Sequence, residues 1–450
     1  LRLAQVGIAL CLTLVAAQPS WAQRAQPRQP SSGGLFGATR SDVGGSQKLN
    51  VTAEVAEGFD SELPPELASN ISRSLQAGGF STILEAGADY AHGVKRTRLA
   101  ANASTAFRYY QDLDRFDALS HTVGVGANLK LPKGGNFQID QAAAYSPSYL
   151  YQLFPVDDSP GLGESIPANP DYQIAQTDSY SYNTRLELSY GNARETNVRA
   201  FGTLHRTDFQ NQVSAAYADL DIHETGAAIS HQVSPSGAFS LQYAYRSGEY
   251  GSGGLTEERP TEEHRVTVGA EFSPALSRTR RATFRVELTP TWFNGVQLAP
   301  DASTSTQVSV SSLLWSGEAS VSYPFRPNWR STARYRRDVQ HQSVLGQPVV
   351  TDGARVEMAG LLGRRVDLGV SAGYVSAASI VSQSAQTLET YTGQVAIRYA
   401  LKRSIALYSE YLYYYYDQRG QEQFVRGLPP VFEQHGVRLG VALFIEPLGR

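Results

Sequence analysis

Cysteine is almost absent: the 450 residues hold one, Cys11, and a single methionine. Cys11 lies in an N-terminal stretch with the marks of a secretion signal. The mature chain is therefore expected to have no disulfide, no cysteine-based metal site and no thiol nucleophile. Long apolar runs are missing too. After that stretch nothing approaches the roughly 18 consecutive apolar residues that a spanning helix needs, so helical membrane architecture is excluded. There is no run of Lys or Arg and no Gly-rich phosphate loop, and the formal net charge is only −3. Nothing here argues for nucleic acid as a partner. No motif implies a cofactor.

What the chain does have is 25 Tyr and 17 Phe, with abundant Gly, Ser and Thr. Its end is the clearest segment. From Gly436 to Ile445, the side chains of Val437, Leu439, Val441, Leu443 and Ile445 alternate with Arg438, Gly440 and Ala442. A strand apolar on one side and small or charged on the other fits a wall with lipid outside and water inside. The same alternation recurs from about Gln47 onward. The reading is all-β: an antiparallel up-and-down transmembrane barrel in the outer membrane. Such a barrel also explains the tyrosines, because amphipathic rings gather at both membrane interfaces.

The chain opens on Leu1 rather than Met, as an alternative start or a truncated end would. Arg2, the apolar run Ile8 to Ala17 and the small residues around Trp21 in Ser20-Trp21-Ala22 read as a signal peptide over 1–22, cleaved before Gln23. Leu10 is not the small residue that a lipoprotein needs ahead of its cysteine. Residues 23–46 are rich in Gln, Pro, Ser and Gly and are expected to form a disordered periplasmic tail. The barrel then covers 47–446.

Tight turns are expected at His92–Lys95, Pro132–Gly135, Gly191–Arg194, Ser234–Gly237, Pro274–Ser277, Arg326–Asn328, Gly363–Arg364 and Leu401–Arg403, where Gly, Pro and Asn supply the backbone angles. Longer polar connections lie near 110–118, 151–178, 209–216, 248–262, 294–304, 341–352, 377–387 and 417–431. Strict alternation of short and long matches periplasmic turns and extracellular loops, and gives about 18 strands with both ends of the wall in the periplasm. Sixteen is the alternative, since 46–77 and 303–325 are the weakest strand assignments.

Energy decides which face meets lipid. An arginine at the bilayer midplane costs about 2–4 kcal/mol, so strands carrying several must turn them inward. Along 281–291, Ala282, Phe284, Val286 and Leu288 oppose Arg281, Thr283, Arg285 and Glu287. Elsewhere Trp329, Ala333 and Tyr335 oppose Arg330, Arg334 and Arg336, and Ala354, Val356 and Met358 oppose Arg355 and Glu357. Arg98, Arg108, Arg185, Arg199, Arg265, Arg398 and Arg438 join the inner set. The pore-lining expectation is thus an inner wall in which arginines outnumber acids.

This pattern resembles the Gram-negative porins over about 47–446: alternating strands, loop asymmetry and a terminal strand, Arg438-Leu439-Gly440 with Leu443 and Ile445, like the one that outer-membrane assembly machinery recognises. Porins usually end on an aromatic residue, whereas this chain runs on through Glu446 to Arg450. The resemblance implies passive diffusion of small hydrophilic solutes, a membrane-lipid environment and, by analogy with trimeric porins, a homo-oligomer. It also implies that the third and longest outside connection, 151–178, folds into the lumen. There Asp157, Asp158, Glu164 and Asp171 would face the wall arginines and set a transverse field across a constriction. The plainer alternative is a solvated cap.

Other readings compete. Arginines in a barrel also pair with Glu to brace the wall without selecting anything. Asp219, Asp221 and His223 alternate on one face and could activate water, but any polar face has that spacing, so no residue is assigned as catalytic. Tyr411, Tyr413 and Tyr415 read as an outer girdle, with Tyr414 and Tyr416 pointing in. A different class remains: a structural or export barrel in a surface-polysaccharide or secretion assembly, its lumen plugged or gated.

Overall fold

The computed structural model describes residues 47–61, 79–111, 117–146, 149–150, 173–175, 178–191, 196–210, 219–251, 259–277, 280–298, 307–326, 328–342, 347–380, 387–419 and 430–449. The expectations for 1–46 and for the acidic residues of 151–172 lie outside them.

In chain order the strands are β1 (Gln47–Asp60), β2 (Gly79–Val94), β3 (Thr97–Tyr110), β4 (Asp117–Lys130), β5 (Gly135–Ser146), β6 (Tyr149–Leu150), β7 (Gln173–Ala175), β8 (Ser179–Gly191), β9 (Thr196–Phe209) and β10 (Leu220–Ser234). There follow β11 (Gly237–Tyr250), β12 (Arg259–Phe272), β13 (Thr283–Leu298), β14 (Gln307–Arg326), β15 (Trp329–Gln342), β16 (Gln347–Leu362), β17 (Val366–Ser379), β18 (Thr387–Lys402), β19 (Ile405–Arg419) and β20 (Val431–Gly449). All but β6 and β7 form one 18-stranded antiparallel sheet, and β1 pairs with both β2 and β20, so the sheet closes. Closure leaves no edge along most of the wall, which a lipid solvent demands because it cannot satisfy free backbone groups. β6 and β7 make a separate two-stranded ribbon at the base of the 151–172 connection.

Short and long connections alternate as the sequence predicts except at 273–282, a long turn, and 343–346, a short loop, and the alternation defines a turn rim and a loop rim. Besides a shift of Leu401–Arg403 to Arg403 and Ser404, where β18 pairs up to Lys402↔Ile405, two turns are displaced. The first reverses at Lys95 and Arg96, with Lys95 at φ 48°, because β2 and β3 pair right up to Val94↔Thr97. The second is longer than Pro274–Ser277: an isolated bridge joins Ala275 to Arg281, and the Ala282 N–H donates to the Pro274 carbonyl. That correction removes Arg281 and Ala282 from the wall. Arg281 lies exposed in the turn, and Ala282 is buried there rather than facing lipid. A third difference matters more. The stretch 341–352 is mostly strand, since β15 runs to Gln342 and β16 restarts at Gln347.

The faces follow the alternation. Val437, Leu439, Val441, Leu443 and Ile445 are exposed on the outside of β20, while Arg438 and Ala442 are buried inside. Aromatic contacts mark the outer girdle near the loop rim: Tyr374 to Tyr391, Tyr391 to Tyr415, Tyr413 to His435 and Tyr245 to His264, with ring centroids 5.0, 5.8, 5.3 and 5.2 Å apart. Tyr190, Tyr323, Tyr399, Phe239, Phe272 and Phe284 form the exposed counterpart near the turn rim. Leu288, 51% exposed on β13, sits between the two rings beside Val268. Leu288→Arg is expected to destabilise the folded barrel by about 2–4 kcal/mol. Equilibrium urea unfolding in lipid vesicles reads this; a cost below about 1 kcal/mol would mean that the band does not lie in the hydrocarbon.

Candidate functional site in the lumen

The inner wall encloses a cavity of about 580 Å³. Eight arginines line it: Arg185 on β8, Arg199 on β9, Arg246 on β11, Arg265 on β12, Arg285 on β13, and Arg334, Arg336 and Arg337 on β15. Four carboxylates do so as well: Glu224, Glu287, Glu318 and Asp338. Strand geometry explains the set on β8 to β14, because every second residue points in at similar height; Arg336 to His341 line the cavity consecutively.

None of these arginines stands alone. Arg185 and Arg199 share Glu187 at 3.0 and 3.7 Å, and Arg199 also donates to Gln242. Arg246 lies against Glu224 and Glu263 at 3.0 and 3.5 Å. Arg285 meets Glu271 and Glu287, Arg334 meets Glu318, and Arg337 meets Asp352. Arg265 and Arg336 share Asp338, each at 2.6 Å. Counting every partner, carboxylates balance the guanidiniums; counting only groups that line the cavity, arginines prevail. The same arginines thus brace the wall and line the cavity.

One element departs from a plain barrel. β14 and β15 pair only from Arg326↔Trp329 to Gly317↔Arg337, although β14 continues along β13 to Gln307. Beyond Arg337, β15 leaves its ladder with β14 and turns into the lumen with the start of β16, toward the inner face of β11 and β12. Val339 and Val349 are 1% and 0% exposed. The hairpin is held by the inner wall of β11 and β12. Arg265 donates to Asp338, Arg246 donates to the Val339 carbonyl at 3.1 Å, and the His341 ring meets Glu263 at 2.7 Å and the Tyr250 hydroxyl at 3.0 Å. An inward hairpin of β15 and β16 thus narrows the lumen, in a place where the sequence pointed to a polar outside loop. Asp157, Asp158, Glu164 and Asp171, expected to do this, lie outside the described residues.

The other predicted arginines spread along the interior. Arg98 and Arg330 are exposed near the turn rim, and Arg398 is half-buried on the inward face of β18. Arg108 and Arg355 point inward but are buried, at 0% and 8%, against Asp60 and Glu357. Sequence reasoning missed Arg246, Glu263, Asp338 and His341. The alternation of Tyr243 and Tyr245 outward places Arg246 inward, so that signal was available; the inward bend was not.

Asp221 and His223 fall on the outward register of β10, with Thr225, Ala227 and Ile229. Asp221 lies 3.8 Å from Arg206, and Asp219 accepts the Phe209 N–H. Asp221 and His223 belong to an outer charged band above the girdle, with Arg206 and Asp208. Among the described residues no group of His, Cys, Asp and Glu is placed to hold a metal. Tyr414 and Tyr416 are fully buried on the inside, with Tyr411 out.

A closed antiparallel wall with an apolar outer band between aromatic rings and a charged interior is an outer-membrane β-barrel. Within that class its 18 strands and polar lumen are porin-like. No family model matches the chain, and no curated protein does. Solved structures with similar folds include Pseudomonas aeruginosa OpdQ, with 9% identity, TM-score 0.43, and coverage of 89% of this chain and 98% of that one. The open form of the ferric-catecholate import receptor Fiu from E. coli K12 shares 9% identity at TM-score 0.42 over 94% and 82%. The FrpB iron transporter from Neisseria meningitidis shares 9% at 0.43 over 90% and 82%. The class rests on the wall and its faces, not on these likenesses.

Proposed function

We propose that this barrel is a channel for passive diffusion of small hydrophilic solutes across the outer membrane, with a preference for anions. The turn rim faces the periplasm and the loop rim the exterior, in keeping with short periplasmic turns. The observation that carries the reading is the arginine-lined cavity. Guanidiniums half-exposed to its water, such as Arg285 at 50% and Arg199 at 36%, present N–H groups to a passing carboxylate or phosphate while their inner sides stay paired. No residue is assigned a chemical step, and no cofactor is needed.

Planar-bilayer recording of the purified barrel under a salt gradient tests this. Stable openings with a reversal potential favouring anions are expected. Arg185→Gln with Arg285→Gln should move that potential toward zero selectivity without abolishing openings. Cation preference in the native protein would discard the reading of the lumen charge. Removing 156–170 tests the acidic loop separately: unchanged conductance would place Asp157, Asp158 and Glu164 outside the pore.

The inward hairpin favours a second reading, an export or partner-gated barrel. Silence from verified folded barrels would select it. Contact with the assembly machinery through β20 and association into homo-oligomers belong to the proposal; cross-linking in isolated membranes reads the latter.

A further inference from the structure

The wall has a vacant seat for residues 338–342. The β14–β15 ladder runs in constant register from Tyr323↔Ser331 to Gly317↔Arg337. Continued unshifted, it sets Asp338 opposite Ser316, Gln340 opposite Leu314 and Gln342 opposite Ser312. β14 is already extended there along β13. Among the described residues no strand pairs with its other edge from Gln307 to Ser316. A free ladder edge is a template for whatever strand can reach it, and β15 reaches it without any change of chain path.

The side-chain pattern fits that seat. Outward registers of β14 and β15 hold Leu313, Trp315 and Tyr335, at 50%, 56% and 46% exposure. The next outward positions are the exposed pair Arg337 and Asp352, and then Val339 and its register partner Val350. Seated on β14, both valines would join the outer face beyond the Arg337–Asp352 pair, and Asp338 and Gln340 would face the lumen beside Ser316. In the structure Val339 is instead buried inside the lumen beside Arg246. β15 is here the free edge of the sheet β15 to β19, so bending the tops of those strands moves it most. Gly353, opposite Arg336, lies at the bend and carries no side chain to obstruct it.

We propose that residues 338–342 form a gate with two seats. In the closed seat they lie inside the lumen against β11 and β12, latched by Arg265 on Asp338, Arg246 on the Val339 carbonyl, and Glu263 and Tyr250 on His341. In the open seat they zip onto Ser316 to Ser312 of β14, which completes the wall and clears the lumen. The two seats exchange one set of polar contacts for a run of ladder hydrogen bonds, which makes a bistable element. This inference rests on the channel reading, and its test separates the two.

The mature chain is expected to lack cysteine, so paired cysteines report without background. Gly248→Cys with His341→Cys spans the closed seat; a Cβ built at Gly248 lies 2.9 Å from the His341 ring. Glu263→Cys with His341→Cys is a second pair there. Leu314→Cys with Gln340→Cys spans the open seat. Each is oxidised in liposomes, scored for disulfide by mass spectrometry and recorded in bilayers before and after reductant. The expected result is that both seats cross-link. The closed-seat disulfide should cut mean current severalfold and the open-seat disulfide raise it severalfold, both reversed by reductant. Quantitative closed-seat cross-linking with no disulfide at Leu314/Gln340 would overturn the gate. Both disulfides forming with no current in either would overturn the channel reading while the motion stands.

Discussion

Asp338→Asn is expected to turn a mostly narrowed barrel into a mostly open one. The Asp338 side chain is 4% exposed and serves three donors: Arg265 at 2.6 Å, Arg336 at 2.6 Å and the Val339 N–H at 2.9 Å. The amide keeps the shape but loses the charge that two guanidiniums share, and its nitrogen cannot accept. Hydrogen bonds to charged groups are worth about 1.5–3 kcal/mol, and 1.4 kcal/mol is tenfold in an equilibrium. Loss of one such bond from the closed seat should raise open probability by roughly an order of magnitude. The reversal potential should also shift toward anions, since Arg265 and Arg336 lose their shared carboxylate. Glu318→Gln is the control. Glu318 pairs with Arg334 at 3.2 Å, where β14 and β15 are still laddered in the wall. It should change selectivity with open probability unaltered. Equal gating changes in both variants would show that charge alone, and not the latch, sets the current.

Asp338 also shows where the sequence stops being legible. From Ala333 to Arg336 the alternation assigns the side chains of β15 to the correct face, because lipid penalises a misplaced arginine and the strand period leaves only two choices. The rule reads Asp338 as inward and Val339 as outward, and says nothing of a strand that leaves the wall with both faces inside. That bend comes from contacts far apart in sequence, such as His341 with Glu263 and Val339 with Arg246. The strand number was readable because loop and turn lengths carry it. The polar run 341–352 was read as a loop since Gln, His and Asp are poor strand formers in a lipid wall; in a wet lumen they are not penalised. Asp221 and His223 failed for the opposite reason: above the girdle the outer face meets water, so polar alternation no longer marks the inside.

Arg108→Ala is expected to lower the stability of the folded barrel by about 3–5 kcal/mol, because it removes the cation facing a buried carboxylate. Arg108 is fully buried, lies 3.7 Å from Asp60, which is itself 3% exposed, and donates to the Tyr110 hydroxyl at 2.9 Å. Around the wall, Glu410 and Arg438 are both 3% exposed and 3.6 Å apart. The two pairs sit on β1, β3, β19 and β20, where the ends of the sheet meet, so they clamp the closing seam. Asp60 is the last residue of β1 and stands opposite Gly436 of β20, which binds this clamp to the closing ladder itself. Denaturant unfolding in vesicles should show the loss, while the reversal potential of the surviving folded fraction stays unchanged. Asp60→Asn added to Arg108→Ala should restore much of it, as double-mutant coupling across a buried pair requires. Arg285→Ala is the converse case: with half its side chain in lumen water, it should move selectivity and leave stability within about 0.5 kcal/mol. An Arg108→Ala barrel that unfolds like the native one, yet loses anion preference, would make Arg108 a pore residue and the seam clamp an illusion.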